Sequence, residues 1–384
     1  MSVSQDQIKT KKVKIIDPNN PGSDEDEPLN IQDSISNEKA TPSIPELSES
    51  EVQAQLKRKE ELKKEREKKK QVEMMKKLQV ELDAKLKASA KSKCGRWIKH
   101  NLKIGEGGYK FVYRGYDTVE GRNIAWCEFK PEHLDTKEKR QTMYKETEIM
   151  LKMNHPHIVR CFDVVREWIK VEDPNNPLEV KGIVIIQELM EEGTLKHVIK
   201  KNFSEGQCIL KFSLITRWWH QILDALRYMH HKIDPCIIHR DLKAENCFLF
   251  AVQDEEYLSV KIGDFGLATD IKNSARQTML GTPGFMAPEI FEERYDEKVD
   301  IYAFGMLMLE VMTNRSPFDE CHTLIKTLIK TMSGIGPDNL RLLSNPQLLE
   351  VIYACIHPLP SFRPTAEELY FHPLFQRYQE GEVL

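Results

Sequence analysis

Five side chains in this 384-residue sequence combine into one kind of chemistry. The run His239-Arg240-Asp241-Leu242-Lys243-Ala244-Glu245-Asn246 gathers a carboxylate, an ammonium and an amide, and Asp264-Phe265-Gly266 adds a second carboxylate. Asn246 and Asp264 are hard oxygen donors suited to Mg²⁺. Asp241 is a candidate base for a hydroxyl, and Lys243 a candidate contact to a transferred phosphate. Phosphoryl transfer asks for this set: an aligned hydroxyl, metal-bridged phosphate oxygens and little covalent work from the protein. The fifth group is Lys110, inside the glycine-rich segment Ile104-Gly105-Glu106-Gly107-Gly108-Tyr109-Lys110-Phe111-Val112.

Extended strands are needed to aim that lysine. Side chains alternate faces with period two, so Lys110 shares a face with Val112, and in Ile124-Ala125-Trp126-Cys127 the cysteine shares one with Ala125. If the face that carries Val112 lines a cleft, Lys110 points into it, and nearby Lys130 falls on the face opposite Cys127. An ammonium reaching phosphates from the roof of a cleft can replace one reaching from its floor, because the task is electrostatic. Two unit charges near 4 Å at an effective dielectric of about 20 interact by roughly 4 kcal/mol before desolvation.

The segments match, in order, the signatures of protein kinases: G-x-G-x-x-G-x-V, V-A-I-K, the catalytic loop, the metal-binding tripeptide, and Ala287-Pro288-Glu289 closing an activation segment. Two positions depart. Lys110 stands where a glycine is usual and Cys127 where the lysine is usual. This paired exchange resembles the With-No-lysine (WNK) kinases, whose catalytic lysine sits in the second strand of the Gly-rich loop and whose third strand carries cysteine. The resemblance covers residues 97–377. It extends to Glu188-Leu189-Met190 with Gly193-Thr194-Leu195-Lys196, to Gly281-Thr282-Pro283, and to Val299 through Met306. Alone, Lys110 reads as an exposed hairpin lysine and Cys127 as a small core residue; the combination gives them their meaning.

The resemblance implies an α+β, two-lobed protein kinase fold over 95–377. The N-lobe (95–188) carries a five-stranded antiparallel sheet with one main helix, the hinge falls at 188–193, and the C-lobe (194–377) is mainly helical. It implies transfer of the γ-phosphate of ATP, with Mg²⁺, to protein Ser and Thr hydroxyls. Gly105, Gly107, Gly108, Lys110, Val112, Ala125, Glu188, Met190, Asn246 and Asp264 would hold the nucleotide, Asn246 and Asp264 the metal, and Asp241, Lys110 and Lys243 would act in catalysis. Glu146, nine residues before His155, is the expected carboxylate of the helix after the third strand and pairs with Lys110, or alternatively with Arg240; on its own it is a solvated helix charge. Glu289 and Arg363 fit a buried ion pair, and His239 and Asp300 fit backbone braces. Thr278 and Ser274, four and eight residues before Thr282, match autophosphorylated serines of WNK-type kinases; otherwise they are ordinary loop hydroxyls.

Some features of that family do not carry over. Its members usually have leucine where Phe265 stands and bind inhibitory chloride beside it, and they have glutamate where Gly284 stands. No Arg-Phe-x-Val docking sequence occurs. Ste20-type kinases, the family's best-known substrates, are the expected partners. The contrasting class is a kinase-shaped scaffold, which has no physical need to keep Asp241, Asn246 and Asp264 together.

Composition agrees with a soluble enzyme. A formal net charge of -4 gives no pull toward nucleic acid, and 8 cysteines without a C-x-x-C pair suggest reduced thiols. No secretory leader opens the chain, and its longest apolar helix candidate, Ile301 to Met312, is interrupted by Glu310; a cytoplasmic protein without membrane insertion is expected. Residues 1–50 are polar and acidic and are expected to be disordered. Residues 51–94 are dense in Lys and Glu, with Met75, Leu78, Leu82 and Leu86 forming a narrow apolar stripe. They predict a charged helical arm, solvated or paired with another helix, including a second copy of itself. Residues 378–384 form a short tail.

Overall fold

The computed structural model describes residues 49–170, 178–252, 257–270, 281–291 and 295–376; of 49–62 and of Glu138, Thr142, Lys145, Glu146 and Asp270 it describes the backbone alone. The polar segment 1–48 and the candidate phosphosites Ser274 and Thr278 lie outside the described residues.

Chain contacts divide the protein into Met1–Gln71 and Val72–Leu384. The described part of the first unit is the start of α1 (Glu49–Lys85), where Lys69 pairs with Glu65 one turn back. In the second unit α1 continues with the pairs Lys77–Glu73 and Lys85–Glu81, and Val72, Met75, Leu78 and Leu82 are exposed. These i,i+4 pairs each stabilise a lone helix by about 0.2–0.5 kcal/mol. The arm is shorter than its sequence suggested: the helix ends at Lys85, and Ala88–Ser92 form a strand, β1.

That strand changes the N-lobe. β2 (Trp97–Glu106), β3 (Lys110–Asp117), β4 (Arg122–Phe129), β5 (Cys161–Lys170) and β6 (Leu178–Glu188) are the five expected strands, and β1 pairs with both β2 and β5 to close them into an antiparallel barrel in the order β1-β2-β3-β4-β6-β5. Closure removes the edges that an open sheet must protect. The barrel encloses Trp97, Ile124, Trp126, Val165, Trp168, Val184 and Ile186, with Trp126 edge-on to Trp168 at 6.4 Å. Gly182 is required there, because a Cβ would stand 2.6 Å from the Trp168 ring. β4 is buried on both faces: Ile124 and Trp126 face this cluster, while Ala125, Cys127 and Phe129 join the large core that runs into the C-lobe. The main helix, α2 (Lys137–Lys152), starts at a Thr136 cap that accepts from the Lys139 N–H.

The C-lobe is built around α5 (Lys298–Thr313), whose residues are buried on nearly every face. It ends where Asn314 turns left-handed at φ 52°, with its N–H closing onto the Glu310 carbonyl at 2.8 Å. Helices α3 (Leu195–Lys201) and α4 (Phe212–Arg227) precede it, and α6 (Leu324–Met332) and α7 (Pro346–Cys355) follow.

Candidate active site

The strand register sets Lys110 beside position 127. In the β3–β4 ladder Val112 lies opposite Cys127 and Lys110 opposite Phe129, so Lys110 and Cys127 are diagonal neighbours on one face, roughly 7–8 Å apart. A lysine side chain covers that distance. Lys110 Nζ donates to Asp264 Oδ1 at 2.8 Å, under a glycine-rich hairpin whose Gly107 N–H is held by the Lys110 carbonyl at 2.9 Å. Lys110, Tyr109, Gly107, Phe129, Ile185 and Asp264 line the pocket there. Lys130 points elsewhere, pairing with Glu106 at 3.0 Å. Cys127 is buried, which pushes its thiol up to about 11 despite the nearby Lys110 ammonium; it stays neutral and offers no charge.

The catalytic loop is held from beneath by Asp300 of α5. Its Oδ1 accepts the Arg240 N–H at 2.9 Å, and its Oδ2 accepts the His239 N–H and faces His230 Nε2, each at 2.9 Å. Burial alone would push Asp300 up, but His230 and the His239 N–H outweigh it and its carboxyl titrates below the ordinary range. Arg240 and Asp264 have left-handed backbones, φ 68° and 60°, a conformation that costs non-glycine residues energy and collects at functional sites. Arg240 uses its guanidinium on the Leu267 carbonyl and on Tyr295 Oη at 3.0 Å. The Phe265 ring is buried edge-on to His239 at 4.8 Å.

Asp241 is the centre of a small network. Its Oδ2 accepts from Lys243 Nζ at 2.8 Å and Asn246 Nδ2 at 2.9 Å, and its Oδ1 accepts from the Thr282 hydroxyl at 2.7 Å and the Thr282 N–H at 3.1 Å. Lys243 Nζ also donates to Thr282 Oγ1 at 2.6 Å. The Lys110 ammonium beside Asp264 holds its carboxyl below the usual range, against the effect of burial. The donor set fits Mg²⁺: Asn246 turns its Nδ2 to Asp241, leaving its amide oxygen, and Asp264 gives one oxygen to Lys110, leaving the other. Buried Arg363 grips Glu289 in a bidentate pair, Nη2 to Oε2 at 2.8 Å.

Other expected residues separate. Val112 and Ala125 face the cleft core, and Met190 is half-buried after β6. The Glu188 carboxylate turns to Lys261 Nζ, at 2.7 and 2.8 Å, so only its backbone is left for a nucleotide. The Glu146 backbone lies in α2 and its side chain is not among those described. Three functional neighbours were not foreseen. Thr282 bridges Asp241 and Lys243. Glu310 of α5 accepts the Ala244 N–H at 3.0 Å and pairs with Lys196 of α3; an acid inside an apolar helix was the signal. Gln187 ends the apolar run of β6, accepts from the Cys127 thiol at 3.4 Å, and has a buried Nε2 without a partner among the described residues.

Residues 98–375 match the protein kinase domain family. Over 288 residues the chain is 39% identical to serine/threonine-protein kinase WNK3 of Mus musculus, covering 75% of this chain and 15% of that kinase. It is 39% identical over 292 residues to WNK4 of Homo sapiens (75% and 22%) and 40% identical over 280 residues to Wnk of Drosophila melanogaster (73% and 11%). The chain thus spans less than a quarter of these relatives' lengths. With lysine at 110 and cysteine at 127, the chain belongs to the protein kinase family, in its WNK branch of serine/threonine kinases.

Proposed function

We propose that this chain transfers the γ-phosphate of ATP to Ser and Thr hydroxyls of proteins, with its phosphate-binding ammonium supplied by Lys110. The observation that carries the reading is the Thr282 hydroxyl, which donates to Asp241 at 2.7 Å while Lys243 touches both. A protein hydroxyl thus already meets Asp241 at hydrogen-bond distance. A substrate hydroxyl in the same position gives its proton to Asp241 as it attacks the γ-phosphorus. Lys243 sits within reach of the attacking oxygen, and Lys110, on the other side of Asp264, is placed to hold phosphate oxygens from the hairpin above. Asn246 and Asp264 would hold Mg²⁺, which when bound offsets phosphate charge. Gly105, Gly107 and Gly108 bring backbone close to the phosphates, and Val112, Ala125, Met190 and the Glu188 backbone border the base.

The test is Mg-ATP-dependent phosphorylation by the full chain, compared with Asp241→Asn, and mapping of the phosphates. A cut at residue 95 is avoided because it would remove β1 from the barrel. Turnover by wild type that disappears in Asp241→Asn supports the reading; equal incorporation in both sinks it, and a silent wild type that still binds partners favours the scaffold. We place Ste20-type kinases as the protein substrates, α1 as a surface for a partner helix, and the cytoplasm as the site of action. Among the described residues no helix is long and apolar enough to cross a membrane.

A further inference from the structure

The apolar run of β6 ends on an amide. Ile183, Val184, Ile185 and Ile186 are buried, and Gln187, 6% exposed, follows them where the strand runs into the hinge. Direct partners in an antiparallel ladder share a face, and Gln187 lies opposite Ala125 on β4 and Cys161 on β5. Ile185, two residues back and so on that same face, lines the pocket beneath the glycine-rich hairpin together with Lys110 and Asp264. The Gln187 side chain therefore stands on the cleft wall beside Ala125, one residue before Glu188.

Cys127 sets which way the amide points. Burial keeps that thiol protonated, so it has an S–H to donate while its sulfur is only a weak acceptor. It donates to Gln187 Oε1 at 3.4 Å. Cys161, on the other flank, turns its thiol to the Asp163 carbonyl at 3.7 Å. The amide nitrogen is left over. Nε2 is buried and has no acceptor among the described residues, and a buried donor calls for a partner. Adenine carries one where it is needed. Along one edge its groups run N1, the 6-amino group, N7: acceptor, donor, acceptor. With N1 and the 6-amino group on the hinge backbone at Met190 and Glu188, the next group along, N7, falls on the side of residue 187.

We propose that Gln187 reads the purine base, its Nε2 donating to N7 while the Cys127 thiol holds its Oε1 in the opposite direction. The proposal rests on the ATP-binding reading above. It gives the cysteine at 127 a task of its own: a neutral donor there orients the amide.

The test compares binding of ATP and of 7-deaza-ATP, in which a C–H replaces N7, by calorimetric titration. The full chain carries Asp241→Asn throughout, so that no nucleotide is turned over. With Gln187 present, ATP is expected to bind at least about fivefold more tightly, because the analogue leaves the buried donor facing carbon. Gln187→Met and Gln187→Leu keep the wall filled and remove the donor, and each is expected to bring the ratio of the two affinities within about twofold. Cys127→Ser, which keeps a donor for Oε1, should preserve the ratio, and Cys127→Ala should lower it. The ratio is decisive because a residue that only packs the wall would weaken both nucleotides alike when replaced. A ratio below about twofold with Gln187 present overturns the proposal and leaves the amide to water, and so does a ratio that both Gln187 variants retain. Binding of neither nucleotide, at an unchanged thermal midpoint, defeats the ATP reading itself.

Discussion

Replacing Lys110 with methionine keeps the aliphatic stem and removes the ammonium. At 2.8 Å from Asp264 and an effective dielectric of about 20, the charge pair is worth roughly 6 kcal/mol before desolvation. Lys110 is largely buried but Asp264 is 39% exposed, so solvent screens the pair. The net ground-state figure is then that of a charge-assisted hydrogen bond, about 1.5–3 kcal/mol, or one to two orders of magnitude in rate if it is lost at the transition state. Donors aimed at developing charge cost about 10²–10³ in kcat when removed. Lys110→Met is therefore expected to lose at least 100-fold in initial rate of peptide phosphorylation. Lys130→Met is the internal control. Its ammonium pairs with Glu106, which is 44% exposed, and such pairs contribute about 0–1 kcal/mol, at most about a fivefold effect. The assay is initial-rate transfer from labelled ATP at saturating Mg²⁺, with thermal midpoints measured to confirm folding. Lys110→Met retaining a third or more of wild-type rate, or Lys130→Met being the inactive variant, would refute the argument from strand parity.

Other outcomes follow from packing and charge. Gly284→Ala puts a Cβ 2.6 Å from the Pro317 carbonyl oxygen and is expected to destabilise by about 1–3 kcal/mol, while Gly108→Ala, whose Cβ meets nothing within 4 Å, should leave the thermal midpoint alone; equal midpoints for the two would contradict it. Glu310→Ala leaves the buried Ala244 N–H without its acceptor and Lys196 with only the more distant Glu245, at about 1–3 kcal/mol; Glu310→Gln keeps the acceptor for Ala244 and should cost clearly less in chemical unfolding. Asp300 has a folded value below its unfolded one of about 3.9, so its contribution is present above that pH and is lost as pH falls through the folded value. Asp300→Asn should therefore flatten the loss of thermal stability from pH 5 toward pH 3, and parallel wild-type and variant curves would show that another group controls the acid limb.

The motifs were legible because each is contiguous. Parity within β3 and β4, anchored on the family role of Val112, aims Lys110 inward and Lys130 outward, and a buried Glu289–Arg363 pair follows from an acid and a base at family positions. What escaped depends on contacts distant in sequence. Ala88–Ser92 carries no apolar alternation and adjoins a helix, so nothing local marks it as a strand; it forms because β2 and β5 each present a free edge to it. The Glu310 contact joins residues 66 apart and the Thr282 contact residues 41 apart. Gly284, a departure from the family pattern in sequence, has a steric reason in the fold: the Pro317 carbonyl fills the space of any side chain.

The same ladder shows what a cysteine at 127 does for the cleft. Cys127 lies in the wall between Ala125 and Phe129, almost wholly buried, with its thiol donating to Gln187. Burial already holds that thiol neutral, and a lysine added there while Lys110 remains would bring a second ammonium toward the same Asp264, whose charge already reaches both positions. Lys110 stands one diagonal step toward the hairpin, where Asp264 faces it across the cleft. Moving the ammonium frees the floor of the cleft to pack as core, so that Cys127, Ala125 and Phe129 form one apolar surface continuous with the C-lobe. Lysine at 110 and cysteine at 127 thus belong to one surface, as diagonal neighbours on the same face of two hydrogen-bonded strands.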